Sequence, residues 1–275
     1  MDTVVKTRSK ANDLQLKIQK HLEELTKATE AAKKSEVMLN YLSFCARFHN
    51  YSASNIWLIM LAKPEASYVA GFHKWKSLGR WVRKGEKGIP ILAPLLVKDE
   101  EQDGVKTQHL VGFKVVYVFD VSQTDGEPLP PEPDWKSPEK NHDLNQRLLQ
   151  FAKSRGIVVS FKTLPGDIQG ISRGGAIEID HGAGTKTLVH EIAHELMHKD
   201  EDNFESRAIK ELEAESVAYV VCRYFGLGSL NSPNYIAFYD VSFEQTQSHL
   251  DRIRITSNRV ITALISDLGR LTAIE

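Results

Sequence analysis

Cysteine is nearly absent from this chain of 275 residues, which contains only Cys45 and Cys222. Neither has a spacing typical of a metal site or a disulfide framework, so a fold held together by cysteines is excluded. Long apolar runs are also missing. No window approaches the roughly 18 apolar residues of a membrane-spanning helix, and the N-terminus lacks the apolar core of a signal peptide. We therefore expect a soluble, cytoplasmic protein with no membrane partner.

The chain also lacks an excess of charge of one sign. Its 35 Lys and Arg residues nearly balance its 36 Asp and Glu residues, which gives a net charge of -1. The protein as a whole is therefore not attracted to nucleic acids or anionic membranes, and any such surface must be local. The length predicts two domains, and a hydrophobic content of 41% is sufficient for buried cores.

The run LVHEIAHELMH, residues 188–198, carries the clearest chemical signal. It is apolar and has neither Gly nor Pro, so we predict a helix that places His190 and His194 on one face, four positions apart. Two neutral imidazoles can share one metal ion, expected to be zinc, with manganese possible. Glu191 is the predicted general base of a metal-dependent peptidase. His198, one turn further, is expected beside the ligands or exposed to solvent.

A second predicted helix, KELEAESVAYVVCRYFG from Lys210, offers the third ligand. Glu211 and Glu215 are four positions apart on one face, whereas Glu213 lies about 200° around the helix from Glu211. The small residues Ala214 and Ala218 flank the Glu211 and Glu215 face and would let the two helices approach closely. The residues therefore select the pair Glu211 and Glu215, and leave open which of the two is the ligand.

A basic stretch rich in aromatic residues lies in the first half of the chain. Between Lys63 and Gly88 there are seven Lys or Arg residues against two Glu, a local net charge of about +5. Cations beside flat aromatic rings suit sequence-tolerant binding of single-stranded DNA. The alternative is that Phe72, Trp75 and Trp81 pack a small β-domain while the lysines keep it soluble. The candidate DNA-binding residues are Lys74, Trp75, Lys76, Arg80, Trp81, Arg83, Lys84 and Lys87.

The order of the elements predicts an α+β protein. Helices are expected at about 10–34, 35–48 and 54–63, then strands at 89–97 and 110–119. Half of the ten prolines fall between Pro128 and Pro138, which predicts a linker at 126–138 between domains 1–125 and 139–275. The second domain is expected to contain a helix at 141–154, a strand at 156–163, and a short strand before Asp180 whose outward edge can pair with an extended peptide. Helices at about 185–198, 210–225 and 243–271 complete it.

Two sets of residues resemble a known family. The blocks YSASNIWLIML (51–61), YVAGFHKWKSLGRWVRKGEKGIPILAPL (68–95) and VVYVFDVSQTDGEPLP (115–130) resemble the N-terminal single-stranded-DNA-binding domain of the ArdC antirestriction proteins. The segments HEIAHELMH and ELEAESVAYVV resemble the zincin-like peptidase domain that ArdC shares with the ImmA/IrrE family. The long N-terminal helix and the sequence LGRWVRKGEK depart from the common pattern of that family.

The resemblance implies N-terminal helices packed on a small antiparallel sheet, followed by a zincin-like metallopeptidase domain with an HExxH helix. It implies Glu211 as the metal ligand and Glu215 as the orienting group, with the reverse assignment as the alternative. It further implies a protein of mobile elements that shields incoming DNA from restriction, with single-stranded DNA and a protein substrate or restriction-system component as partners. Two other functions stay open: an ImmA-type protease that cleaves a repressor, and a DNA-binding protein whose metal is structural.

Overall fold

The structure, a computed structural model, describes residues 2–27, 31–98, 108–129, 138–199, 206–227 and 243–266. The helices are α1 (Asp2–Lys27), α2 (Ala31–Arg47), α3 (Ala53–Ala62), α4 (Phe72–Ser77), α5 (Pro138–Ser154), α6 (Thr185–Met197), α7 (Arg207–Tyr224) and α8 (Phe243–Ile265). The strands are β1 (Val69–Gly71), β2 (Arg80–Val82), β3 (Ile89–Lys98), β4 (Gln108–Asp120), β5 (Thr124–Gly126), β6 (Val158–Phe161), β7 (Gly170–Ser172) and β8 (Ala176–Ile179). Among these elements no helix is both long and apolar enough to cross a membrane.

The chain divides into two compact units. Unit 1 comprises Met1–Leu25, Ser54–Leu129 and Ala273–Glu275, and unit 2 comprises Thr26–Ala53 and Pro130–Thr272. Helix α2, which the sequence placed in the first domain, is thus grouped with the second unit. The predicted linker at 126–138 falls largely on residues 130–137, outside the described residues, so the domain boundary stays a prediction.

Unit 1 is built around a three-stranded antiparallel sheet in the order β1-β4-β3, with a separate two-stranded ribbon of β2 and β5. Ile89 lies opposite Val118, and both are buried. Helix α3 is tied to this sheet by Asn55, whose side-chain amide donates to the backbone oxygen of Leu92 at 2.9 Å and accepts from its N–H at 2.8 Å. The expected packing of an N-terminal helix on a small antiparallel sheet is present.

Unit 2 contains a mixed sheet in the order β6-β8-β7, in which β8 is parallel to β6 and antiparallel to β7. Helix α7 packs against α2, α6 and α8, and Ile192, Val217, Phe225 and Ile253 are completely buried in this unit. The helices and small sheets of both units confirm the predicted α+β class. The zincin-like character of unit 2 stays a prediction.

Three elements differ from the sequence-based expectations. The first predicted helix ends at Lys27 instead of Lys34, and α2 begins at Ala31. A short helix, α4, lies in the basic stretch, where the sequence analysis predicted no helix. The strand before Asp180 is β8, which is paired on both sides, so it has no free edge and the expectation of an exposed edge there is wrong. The edge belongs to β7, which the glycine-containing turn at 173–175 connects to β8.

Candidate metal centre and nucleic-acid interface

Helix α6 carries the histidine pair. The apolar residues of the run 188–198 face inward, where Leu188, Val189 and Ile192 are buried. The spacing of four residues stacks the imidazoles along the neighbouring face, and the Nε2 atoms of His190 and His194 lie 3.1 Å apart. Both rings are mostly buried, with side-chain exposures of 19% and 14%. The two nitrogens therefore point at one small volume that remains open to solvent on one side.

Helix α7 brings a carboxylate to the same volume. Ser206 caps the helix by accepting a hydrogen bond from the N–H of Ile209 at 3.3 Å, which fixes where its first turn begins. The Oε2 atom of Glu211, one turn later, lies 3.5 Å from Nε2 of His190 and 3.6 Å from Nε2 of His194. One ligand atom from each of the three residues lies within 4.8 Å of the others, a spacing that one metal ion can bridge.

Glu215 lies behind His190, on the side away from this volume. Its Oε2 is 3.4 Å from Nδ1 of His190, and its Oε1 accepts a hydrogen bond from the ammonium group of Lys186. A carboxylate on the second nitrogen of a ligating histidine fixes the ring and its tautomer. Glu211 is thus the carboxylate next to both Nε2 atoms, and Glu215 is the carboxylate next to Nδ1 of His190.

The electrostatics of the cluster suit a cation. Burial lowers the pKa of His190, but hydrogen bonds to Glu211 and Glu215 outweigh it and raise the pKa to about 9. Hydrogen bonds from His190 and His194 hold the pKa of Glu211 far below its ordinary value. In the metal-free protein a proton on His190 therefore compensates the negative charges that a divalent ion would neutralise.

Glu191 lies next to the histidines and is buried, with 7% of the residue exposed. Burial is the main reason that its pKa is raised above the ordinary value for a glutamate, which favours a role as a proton acceptor and donor. Its carboxylate lies directly against the backbone of Gly170 on β7: a Cβ at that position would be 2.6 Å from Oε1. Only glycine leaves room for this placement, and the sequence analysis did not single out Gly170.

Strand β7 is held beside the site by a carboxylate on α6. Glu195 is buried, and it accepts hydrogen bonds from Ser172 Oγ at 2.6 Å, from the N–H groups of Arg173 and Gly174 at 3.1 and 2.9 Å, and from the N–H of Gly175. The turn between β7 and β8 is therefore anchored to the same helix that carries the histidines. Sequence reasoning missed Glu195, although an unpaired acid in an apolar helix was a usable signal.

His198 is placed more deeply than the sequence suggested. Its side chain is only 5% exposed, so the alternative of an exposed His198 is wrong. One ring nitrogen lies 3.0 Å from Nδ1 of His194 and the other lies 2.8 Å from Glu213. Glu213 is completely buried and faces away from the three candidate ligands, as the helical spacing of α7 predicted.

The candidate DNA-binding residues separate into two groups. Trp75 on α4 is completely buried and donates its indole N–H to the backbone oxygen of Phe119 at 2.8 Å. The expectation that Trp75 stacks on a base is therefore wrong, because neither face of its ring reaches solvent. Arg80 donates to Thr124 Oγ1 at 2.9 Å and to the backbone oxygens of Thr124, Gly126 and Glu127. Its guanidinium holds the β2–β5 ribbon together and is not available for phosphate.

The side chains of the other group are at least partly exposed. Trp81 on β2 is 59% exposed. In the part of the chain that the structure describes, no hydrogen bond or ion pair engages the ammonium groups of four nearby lysines. These lysines, called the lysine patch below, are Lys74, Lys76, Lys84 and Lys87. Arg83 differs from these lysines because its guanidinium forms ion pairs with Glu86 at 2.7 Å and with Asp125 at 3.4 Å.

The fold and the site define an α+β protein that carries a helix-borne HExxH cluster completed by a carboxylate from the next helix. Residues 6–127 match the family model of the N-terminal domain of anti-restriction factor ArdC. This match confirms the resemblance of the N-terminal sequence blocks to that domain.

Similar proteins include an uncharacterized protein of Bacillus anthracis, pXO2-81, which is 27% identical over 301 residues, 90% of this chain and 51% of that protein. This chain thus spans about half the length of that relative. Two crystal structures of the antirestriction ArdC protein from plasmid R388 are also similar, both at 20% identity. The metal-free structure has a TM-score of 0.48 and covers 79% of this chain and 85% of its own. The Mn(II)-bound structure has a TM-score of 0.47, and the match covers 84% of this chain and 98% of the ArdC chain.

Proposed function

We propose that this ArdC-like protein holds one divalent metal ion through His190, His194 and Glu211 and hydrolyses a peptide bond beside it. The observation that carries the proposal is the convergence of these three side chains next to the buried carboxylate of Glu191. Two imidazoles and one carboxylate form a donor set that suits zinc and also manganese. Three protein ligands leave a position open for chemistry, whereas four would close the site.

The residues around the cluster have separate tasks in this reaction. A divalent ion bound there would polarise a carbonyl and lower the pKa of a water molecule. Glu191 takes the proton of that water on its carboxylate and can return it to the leaving amine, and its raised pKa suits both steps. Glu215 keeps His190 oriented, and Gly170 leaves space for the carboxylate of Glu191.

Strand β7 supports a peptide as the substrate. The hydrogen bonds from Asp180 N to Gln169 O and from Arg173 N to Ala176 O set the register of the β7–β8 pair. Because bonded residues alternate in an antiparallel pair, the backbone N–H and C=O groups of Gly170 and Ser172 point away from β8. An extended peptide can add to this edge, which lies against Glu191.

The test is hydrolysis of a library of fluorogenic peptides by the full chain loaded with Zn2+ or Mn2+. We expect cleavage by the wild type and a loss of at least about 100-fold in Glu191→Gln, which keeps its metal because the ligands are intact. Glu178→Gln is the matched control, since this acid on β8 is paired with Lys162 and Arg173 and should not affect cleavage. Equal cleavage by Glu191→Gln and the wild type would contradict the assignment of the base.

A second activity, binding of single-stranded DNA, is proposed for unit 1. The exposed Trp81 offers a stacking surface and the lysine patch offers charges for phosphates. Together with the site in unit 2, this supports an antirestriction role in which the protein contacts incoming DNA. Salt-dependent binding to a labelled oligonucleotide would favour this role over an ImmA-type protease that cleaves a repressor. If Glu191→Gln still protects DNA from restriction, the role of the metal is structural instead of proteolytic.

A further inference from the structure

A series of polar side chains in contact with one another extends from the candidate ligand His194 across α6, α7 and α8. Nδ1 of His194 lies 3.0 Å from Nδ1 of His198, and Nε2 of His198 lies 2.8 Å from Oε2 of Glu213. Oε1 of Glu213 lies 2.8 Å from Nδ1 of His249 on α8. Arg252, one turn further on α8, approaches Oε2 of Glu213 to 3.5 Å. Of these residues, only His194 belongs to the metal cluster.

Nitrogen atoms from three side chains surround Glu213, at the inner end of this series. Glu213 is completely buried, its two carboxyl oxygens lie 2.8 Å from ring nitrogens of His198 and His249, and Arg252 lies 3.5 Å from Oε2. An acid whose oxygens face an arginine and two imidazole nitrogens accepts hydrogen bonds through both oxygens. Arg252 supplies a positive charge that compensates a buried carboxylate at this position.

The hydrogen-bond partner of each ring nitrogen then determines whether that nitrogen carries a proton. A neutral imidazole has one N–H and one lone pair, and the carboxylate of Glu213 requires the N–H of His198 to be on Nε2. When His198 carries a single proton, its Nδ1 has the lone pair and His194 donates from its own Nδ1. This leaves the lone pair of His194 on Nε2, the atom that faces His190 and Glu211.

We infer that Glu213 and His198 are positioning residues that fix the tautomer of His194, so that its Nε2 lone pair points into the metal site. The inference rests on the proposed metal site. Glu213 acts on the site although it contacts none of the three candidate ligands, and His249 on α8 in turn contacts Glu213. Glu215 serves His190 through one carboxylate, whereas Glu213 serves His194 through a second imidazole.

The tautomer is measurable without metal. In the metal-free full chain, the 15N chemical shifts of the His194 ring, read through couplings to its carbon-bound protons, distinguish a protonated Nδ1 from a protonated Nε2. We expect a proton on Nδ1 in the wild type, and a mixture or reversal in Glu213→Gln, because the amide can donate to His198 as well as accept from it. A wild-type His194 with its proton on Nε2 would overturn the inference, whatever the metal affinity.

Metal affinity provides the second measurement. Titration with Mn2+ and with Zn2+ should show affinities about 10- to 100-fold weaker in Glu213→Gln and in His198→Phe than in the wild type. Leu212→Ala, which removes a buried side chain from the same turn of α7, controls for lost stability and should bind metal like the wild type. If both variants bind within about twofold of the wild type while His194 keeps its tautomer, the inference is wrong. A wild type that binds no metal contradicts the proposed function, and the 15N shifts still decide the tautomer.

Discussion

The two tryptophans of the basic stretch should respond to substitution in opposite ways. Trp75 is completely buried and its indole N–H is bonded to Phe119 O, whereas Trp81 is 59% exposed on a two-stranded ribbon. Trp75→Ala should cost about 3 to 5 kcal/mol of folding free energy, because it leaves a large cavity, and somewhat more because a buried carbonyl loses its donor. Trp81→Ala should change the folding free energy by about 0.5 kcal/mol or less.

The effect on DNA binding should be the reverse. If a base stacks on Trp81, its removal should cost about 1 to 3 kcal/mol, which corresponds to about 5- to 150-fold in affinity for a single-stranded oligonucleotide. Fluorescence anisotropy with a labelled oligothymidine gives the affinity, and urea denaturation gives the stability. Trp81→Phe is the conservative control, since a smaller ring still stacks. The reasoning is refuted if Trp81→Ala binds DNA like the wild type, or if Trp75→Ala is as stable as the wild type.

Three further predictions concern the salt dependence of DNA binding, the space beside Glu191 and the protonation of His190. The logarithm of DNA affinity should fall with the logarithm of salt concentration at a slope near -3, about 0.7 for each of four phosphates contacted by the lysine patch, and a slope near zero would exclude it. Gly170→Ala should push the carboxylate of Glu191 by about 0.8 Å, from 2.6 Å to an ordinary contact, and should slow hydrolysis by about 10- to 100-fold with the metal content unchanged. A variant of full activity would show that Glu191 has room to adjust. Because the pKa of His190 is raised to about 9, metal affinity should increase about tenfold per pH unit from neutrality to about pH 9, where it levels. In the metal-free protein the same raised pKa predicts that thermal stability declines as the pH rises from about 6.5 through about 9, and a flat profile in both measurements would contradict the pairing of His190.

Local geometry explains what the sequence could predict. The spacing of His190 and His194 requires only a helix. The choice of Glu211 and Glu215 over Glu213 requires a helix and the small residues Ala214 and Ala218 on the same face. Both inferences depend on residues within one or two helical turns of each other. The structure places all of these side chains where the helical spacing suggested, and it adds the distances between the three candidate ligand atoms, which all lie within 4.8 Å of one another.

Long-range contacts explain what the sequence could not predict. Glu195 binds a turn 20 to 23 residues earlier in the chain, and Glu213 meets His249 at a separation of 36 residues. Nothing in the periodicity of one helix reveals such partners. Trp75 and Trp81 share the same basic stretch, and composition could not separate them. The short helix α4 buries the first, and the β2–β5 ribbon leaves the second exposed.

The central claim is that His190, His194 and Glu211 hold one metal ion, and metal content tests it most directly. The protein is loaded with Zn2+ or Mn2+, freed of excess ion by gel filtration and measured by mass spectrometry of the elements, for the wild type, Glu211→Ala and the control Glu178→Gln. The account predicts about one ion per chain in the wild type and the control, and almost none in Glu211→Ala. Equal metal content in all three proteins would contradict it.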